Sequence, residues 1–114
     1  MMPKEKIGKL DFFIDENGLP RVKAPPGLEG VALFLEGDIQ GDAAMAQELL
    51  HLLEESNKKG SKDTEFIGNS YAVIIRPEQV VLEALYSRGK NSKVTLKRDE
   101  FKEIVKKWLN FIKQ

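Results

Sequence analysis

Among side chains able to do acid–base or ligand chemistry, His51 stands alone, because the chain has one histidine and no cysteine. Disulfides, thiolate metal sites and cysteine nucleophiles are excluded, and a Ser-His-Asp triad or a histidine-based metal centre within one chain is disfavoured. As a general base His51 would need an orienting carboxylate, and Glu48, Glu54 and Glu55 are within reach on a shared helix. The simpler reading is a surface or half-buried helical histidine, since no nucleophile or oxyanion site accompanies it. Glu36, Asp38 and Asp42 are hard oxygen donors of the kind Mg²⁺ takes. No DxDxDG-type loop surrounds them, however, and Asp42 is placed to cap a helix. Neither GxGxxG, GxxxxGK[ST] nor GxSxG occurs, so phosphate cradles and serine elbows are missing. The residues predict no enzyme, no cofactor and no dedicated metal site.

Charge distribution is the stronger lead. From Glu29 to Asn57 the chain carries seven acidic residues and no Lys or Arg, although its formal net charge is zero. Residues 1–57 hold five basic and eleven acidic side chains, whereas residues 58–114 hold thirteen and seven. Such a split bears on partners rather than on fold. Nucleic acid is one candidate for the basic half, but Asp99, Glu100 and Glu103 interrupt it and no RNA-binding motif is present. Direct nucleic-acid binding is not expected. Two explanations of the acidic run stay open: the lysine-rich last helix covers it within the fold, or a basic partner covers it from outside. Glu36, Asp38, Asp42, Glu48 and Glu55 are the partner-binding candidates, chosen on charge.

The elements that position these groups can be read in order. KLDFFIDENGLPRVKA predicts a hairpin turning at Asn17-Gly18, with Pro20 suiting an edge position or the start of the second strand. Ala24-Pro25-Pro26-Gly27 breaks the pattern. Leu28, Val31, Ala32 and Leu35 then mark a short helix with Gly37 as its stop. Asp38 to Gly41 connect it to a second helix, capped by Asp42, whose apolar stripe is Ala46, Leu49, Leu50 and Leu53. Glu54 and Glu55 precede Lys58 and Lys59 by four residues, the orientation that favours helical ion pairs. Asn57 to Ser61 end that helix.

Three extended runs follow. Thr64–Ile67 and Tyr71–Ile75 form a second hairpin about Gly68-Asn69, and Tyr71–Ile75, apolar on both faces, reads as a central strand. Gln79–Tyr86 is the third run and reads as a strand, although its Ala84 and Leu85 would also fit a helix. Ser87–Lys93 reads as a mobile polar loop. In the last helix Phe101, Ile104, Val105, Trp108 and Ile112 make the inward stripe, with Asp99 and Glu100 in its first turn. Trp108 belongs to that stripe as core. The order ββ-αα-βββ-α predicts an α+β protein: an antiparallel sheet packed by helices, one domain over residues 1–114, with residues 1–8 a flexible N-terminus. With 114 residues, 41% of them hydrophobic, the chain is long enough to bury a core. No run of eighteen apolar residues and no signal-peptide pattern is present, so a cytoplasmic location and no membrane contact are expected.

Four strings carry a resemblance over nearly the whole chain: DENGLPR at Asp15–Arg21, LFLEGDIQG at Leu33–Gly41, FIGNSYAVII at Phe66–Ile75 and EFKEIVKKWLNFI at Glu100–Ile112. Together they resemble CdiI-type immunity proteins of contact-dependent growth inhibition systems and, more loosely, small bacterial YacL-like proteins. In that pattern a Ser is expected as cap before the final helix, where this chain has Lys97-Arg98. The first resemblance implies a cytoplasmic immunity protein that binds and neutralises a cognate toxin, commonly a nuclease acting on tRNA or other RNA. Its partner would be a basic nuclease domain, and the protein itself a monomer or weak dimer. The second implies a housekeeping or regulatory protein acting through protein–protein contacts.

Overall fold

The computed structural model describes residues 10–59, 63–86 and 92–113. The expected flexible N-terminus (1–8), Gly60-Ser61 beyond the second helix and most of the expected mobile loop (87–91) lie outside the described residues. So do the side chains of Lys58 and Lys59, the expected partners of Glu54 and Glu55.

The chain is α+β, as expected. A hairpin of β1 (Asp11–Ile14) and β2 (Pro20–Lys23) leads into α1 (Glu29–Phe34), a π-helical segment (Leu35–Ile39) and α2 (Ala43–Lys59). Then come β3 (Thr64–Ile67), β4 (Tyr71–Ile75), β5 (Gln79–Ala84), β6 (Lys93–Lys97) and α3 (Arg98–Ile112). β1 and β2 form their own two-stranded sheet, and β3 to β6 form an antiparallel four-stranded meander in chain order. The fourth strand, β6, adds to the three expected runs. It alternates strictly, with Val94 and Leu96 buried and Lys93, Thr95 and Lys97 exposed, the period-two pattern of a strand with one wet face.

Register places the core. Phe66 opposes Val73, Val73 opposes Leu82 and Leu82 opposes Val94, so these four side chains share one face of the sheet. Phe34, Leu49, Leu53, Phe101, Ile104 and Trp108 join them in a single buried cluster, which puts the helices over that face. As an inner strand, β4 has four of its five residues buried, in keeping with the central position read from YAVII. Phe34 lies edge-on to both Phe66 and Tyr71, with ring centroids 6.5 and 6.4 Å away.

Trp108 fastens the hairpin to the rest. Phe12 stands edge-on to the indole at 5.1 Å, and the indole N–H donates to the Gln40 carbonyl at 2.9 Å. Its role as core is therefore combined with a hydrogen bond to the link between the first two helices.

That link differs from expectation. Gly37 does not stop the first helix; the coil widens into a π turn and continues to Ile39. Gln40 ends it, donating its N–H to the Leu35 carbonyl at 2.7 Å with φ at +57°. A non-glycine residue there carries strain of order 1–3 kcal/mol, held in place by three bonds: the Leu35 contact, the Trp108 bond and Gln40 Nε2 to the Gly37 carbonyl at 2.7 Å. Asp42 then caps α2 as expected, its Oδ1 accepting the Met45 N–H at 3.1 Å. α3 starts without a side-chain cap. The Arg98 N–H instead donates to the Glu78 carbonyl at 3.1 Å, so the strand ladder runs directly into the helix.

Candidate functional site

The five acidic candidates separate into two groups. Asp38 is only 3% exposed. Its carboxylate accepts the Ser70 N–H at 3.0 and 3.1 Å and the Tyr71 N–H at 2.9 Å, tying the π segment to the β3–β4 turn. Glu36 accepts the Val22 N–H at 2.6 Å and lies 3.9 Å from the Arg21 guanidinium, tying the same segment to β2. These two carboxylates are internal fastenings, and Asp38 offers almost no surface to a partner. Nor do Glu36, Asp38 and Asp42 converge: each serves a different backbone segment. Among the described residues, no three His, Cys, Asp or Glu side chains meet as a metal ion requires.

Burial pushes the Asp38 carboxyl above its ordinary range, and the Tyr71 and Ser70 N–H bonds pull against that push without cancelling it. Burial also raises the Tyr71 hydroxyl, with the Asp38 charge adding to the effect. A carboxyl that holds its proton more tightly when folded contributes most below the ordinary carboxylate value of about 4, and that contribution is lost as pH rises through its folded value. Relative to Asp38→Asn, the native protein is therefore expected to lose stability as pH climbs above about 4. Urea unfolding of both proteins between acidic and neutral pH measures this. A gap that is constant, or that moves in favour of Asp38, would show that the amide bonds outweigh burial.

Asp42, Glu48 and Glu55 are exposed. The outward stripe of α2 comprises Gln47, Glu48, His51, Glu54 and Glu55, all exposed, while Ala46, Leu49 and Leu53 face the core. His51 Nε2 lies 3.9 Å from Glu55 one turn on, and Glu48 has no ion pair among the described residues. α3 packs along α2 and reaches this face through Lys102, whose Nζ is 3.8 Å from Glu54. Lys106 pairs within its own helix, with Glu103 at 3.8 Å. The basic helix thus lies beside the acidic one but leaves much of its outward stripe open.

Arg98 is the residue that charge counting missed. It is 5% exposed, and its guanidinium donates to three carbonyls: Leu53 of α2, Arg76 at 3.1 Å and Pro77 at 3.2 Å. A basic residue in the first turn of a helix opposes the macrodipole, and that misplacement is the signal by which it could have been noticed. An open cleft of about 490 Å³ lies beside it, lined also by Pro77, Glu78, Gln79, Lys97 and Asp99. Arg98 is committed to its carbonyls, so what the cleft presents is Lys97, Glu78 and Asp99, charges of both signs.

No protein-family model matches this chain, and neither does any curated protein or solved structure. Among the described residues, no helix is long and apolar enough to cross a membrane.

Proposed function

We propose that this chain is a non-enzymatic immunity protein that neutralises a basic nuclease toxin by docking the outward face of α2 against it. The observation that carries the reading is the stripe Glu48, His51, Glu54 and Glu55, which the fold leaves exposed beside a lysine-rich helix. Nuclease grooves are positively charged because they hold phosphates, and an acidic helix face fits that field and speeds encounter. Glu36 and Asp38, both engaged with backbone N–H groups, are left out of the proposed contact set. The residues that would meet the toxin are Glu48 and Glu55, with Asp42 at the head of the same helix. The resemblance to CdiI-type proteins supports the class of partner, and the exposure of the outward face of α2 supports this choice of contact surface.

Co-expression with a nuclease toxin, were one encoded immediately upstream, tests the function: absence of both a complex and protection would end it. The contact face has its own test. Glu48→Lys with Glu55→Lys should leave the fold within about 0.5 kcal/mol of native, since both are surface positions. The double variant should slow association by about tenfold at low salt and flatten its salt dependence. An unchanged association rate would move the interface off α2.

A further inference from the structure

The hairpin's two edges are treated differently by the fold. Asp15 donates its N–H to the Leu19 carbonyl at 2.9 Å, which fixes the phase of the ladder. Two residues along, Phe13 and Arg21 exchange hydrogen bonds, while Phe12–Val22 and Ile14–Pro20 are the alternate pairs whose main-chain groups point away from each other. On the β2 side that edge is closed: Pro20 has no N–H, and the Val22 N–H is taken by Glu36 at 2.6 Å. On the β1 side, the N–H and C=O groups of Phe12 and Ile14 face outward, and no described residue hydrogen-bonds to them.

The outer strands of the larger sheet show what a guarded edge looks like. The Ala84 N–H bonds to the Ser92 carbonyl at 2.7 Å, so the outward groups of β6 belong to Lys93, Thr95 and Lys97. Gly68 donates to the Tyr71 carbonyl at 2.8 Å, so those of β3 belong to Glu65 and Ile67. Charged residues at such positions discourage strand addition. β1 has none there: its outward residues are Phe12, half-buried against Trp108, and Ile14, 56% exposed.

Charge says what this edge would take. Asp11 and Asp15 stand at the two ends of the apolar stretch, with Glu16 beyond, and the hairpin's basic residues, Arg21 and Lys23, sit one strand further in. The Asp15 carboxyl is held below its ordinary range, first by the Leu19 N–H and also by the Asn17 N–H and Arg21, so it stays ionised. A second copy is a poor occupant. Pairing Phe12 of one copy with Ile14 of another, the antiparallel register that satisfies all four outward groups from within β1, sets Asp11 opposite Asp15 at both ends. Like charges placed opposite destabilise a ladder.

We propose that the outer edge of β1 is a docking edge for an extended segment of a partner protein, one with apolar residues between basic ends, which adds as a third strand to the hairpin. Recognition of this kind takes its affinity from main-chain bonds and its specificity from alternate side chains. The acidic face of α2 plays no part in it, so the inference stands apart from the proposed function.

Two synthetic peptides test it, each alternating valine and threonine, one ending in lysine at both ends and its twin in glutamate. With the full chain, the lysine peptide should bind about tenfold tighter, the equivalent of about 1.4 kcal/mol from two end pairs. It should slow hydrogen exchange at the amides of Phe12 and Ile14 and leave that of Phe13, already bonded to Arg21, unaltered. Ile14→Pro removes one outward N–H while sparing the bonds to β2, as Pro20 does across the hairpin, and should abolish binding. Equal binding of the twins, no binding of either, or undiminished binding by the proline variant would each overturn the proposal. So would protection of the same amides that grows with protein concentration alone, since that would make the occupant a second copy.

Discussion

Replacing Gly68 with alanine is expected to destabilise the fold by roughly 3 kcal/mol and to lower the melting temperature by about 10 °C, a large effect for one methyl group. Backbone strain is not the reason, for Gly68 is not among the glycines with positive φ. The reason is Asp38. A Cβ at residue 68 would lie 2.9 Å from the Asp38 Cγ and 3.0 Å from its Cβ, and closer still to Oδ2. These are not the yielding ends of a flexible chain, since the carboxylate is buried and fixed by the Ser70 and Tyr71 amides. Moving it aside leaves two N–H groups short of an acceptor as well as displacing the π segment. The turn has little strength of its own to resist, because Asn69 and Ser70 both lack the positive φ that primed two-residue hairpins use. Gly37→Ala is the control: nothing lies within 4 Å of the added carbon, and up to about 1 kcal/mol should be gained instead. In an Asp38→Ser background the cost of Gly68→Ala should shrink by more than 1 kcal/mol, about the coupling that a double-mutant cycle resolves for groups in contact. Additive costs would mean that the two residues do not press on each other.

Gly68 also shows where sequence reading reaches its limit. From FIGNSY the glycine looks like a turn residue, and it is one, but its necessity comes from a carboxylate thirty residues earlier in the chain. Asp38 itself looks like surface charge in the run FLEGDIQGD. Its burial depends on the π turn, which rotates residues 35–39 relative to an α-helix and so aims Asp38 at the sheet. That turn rests on Gln40 adopting a conformation that its side chain does not favour. None of this has a local sequence signature, because each piece is imposed by tertiary contacts. Features with local causes were legible: the stripe of α3, the Asp42 cap, the two-sided apolarity of β4 and the α+β class. β6 was legible too, since KVTLK alternates cleanly. Its outward lysines, however, make it look like a continuation of the polar loop. The charge pattern located α2's outward face but could not separate Glu48 and Glu55, which point out, from Glu36 and Asp38, which fasten the interior.

Arg98→Met should cost about 3–4 kcal/mol, the loss expected when a buried, hydrogen-bonded charged group is removed and its acceptors stay behind. Methionine keeps much of the stem's packing, so the loss reports the guanidinium rather than a cavity. That group holds three elements together: α2 through Leu53, the β4–β5 turn through Arg76 and Pro77, and α3, on which it sits. Among the described residues it has no carboxylate ion pair, so its charge is met by carbonyl dipoles alone, which a planar fork can reach from two nitrogens at once. Lysine cannot: its ammonium is a single point and would have to choose between Leu53 and the turn. Arg98→Lys should therefore recover no more than about 1 kcal/mol of the loss, although it restores the charge. Urea midpoints give the energies, and hydrogen exchange locates them. The Arg98 N–H, bonded to Glu78 at 3.1 Å, should exchange faster in both variants if the fork is what presses the turn against the start of α3. A lysine variant as stable as the native protein would make charge, and not the fork, the essential property of residue 98. Slow exchange in a destabilised methionine variant would place the loss at Leu53 and α2, leaving the turn to hold itself.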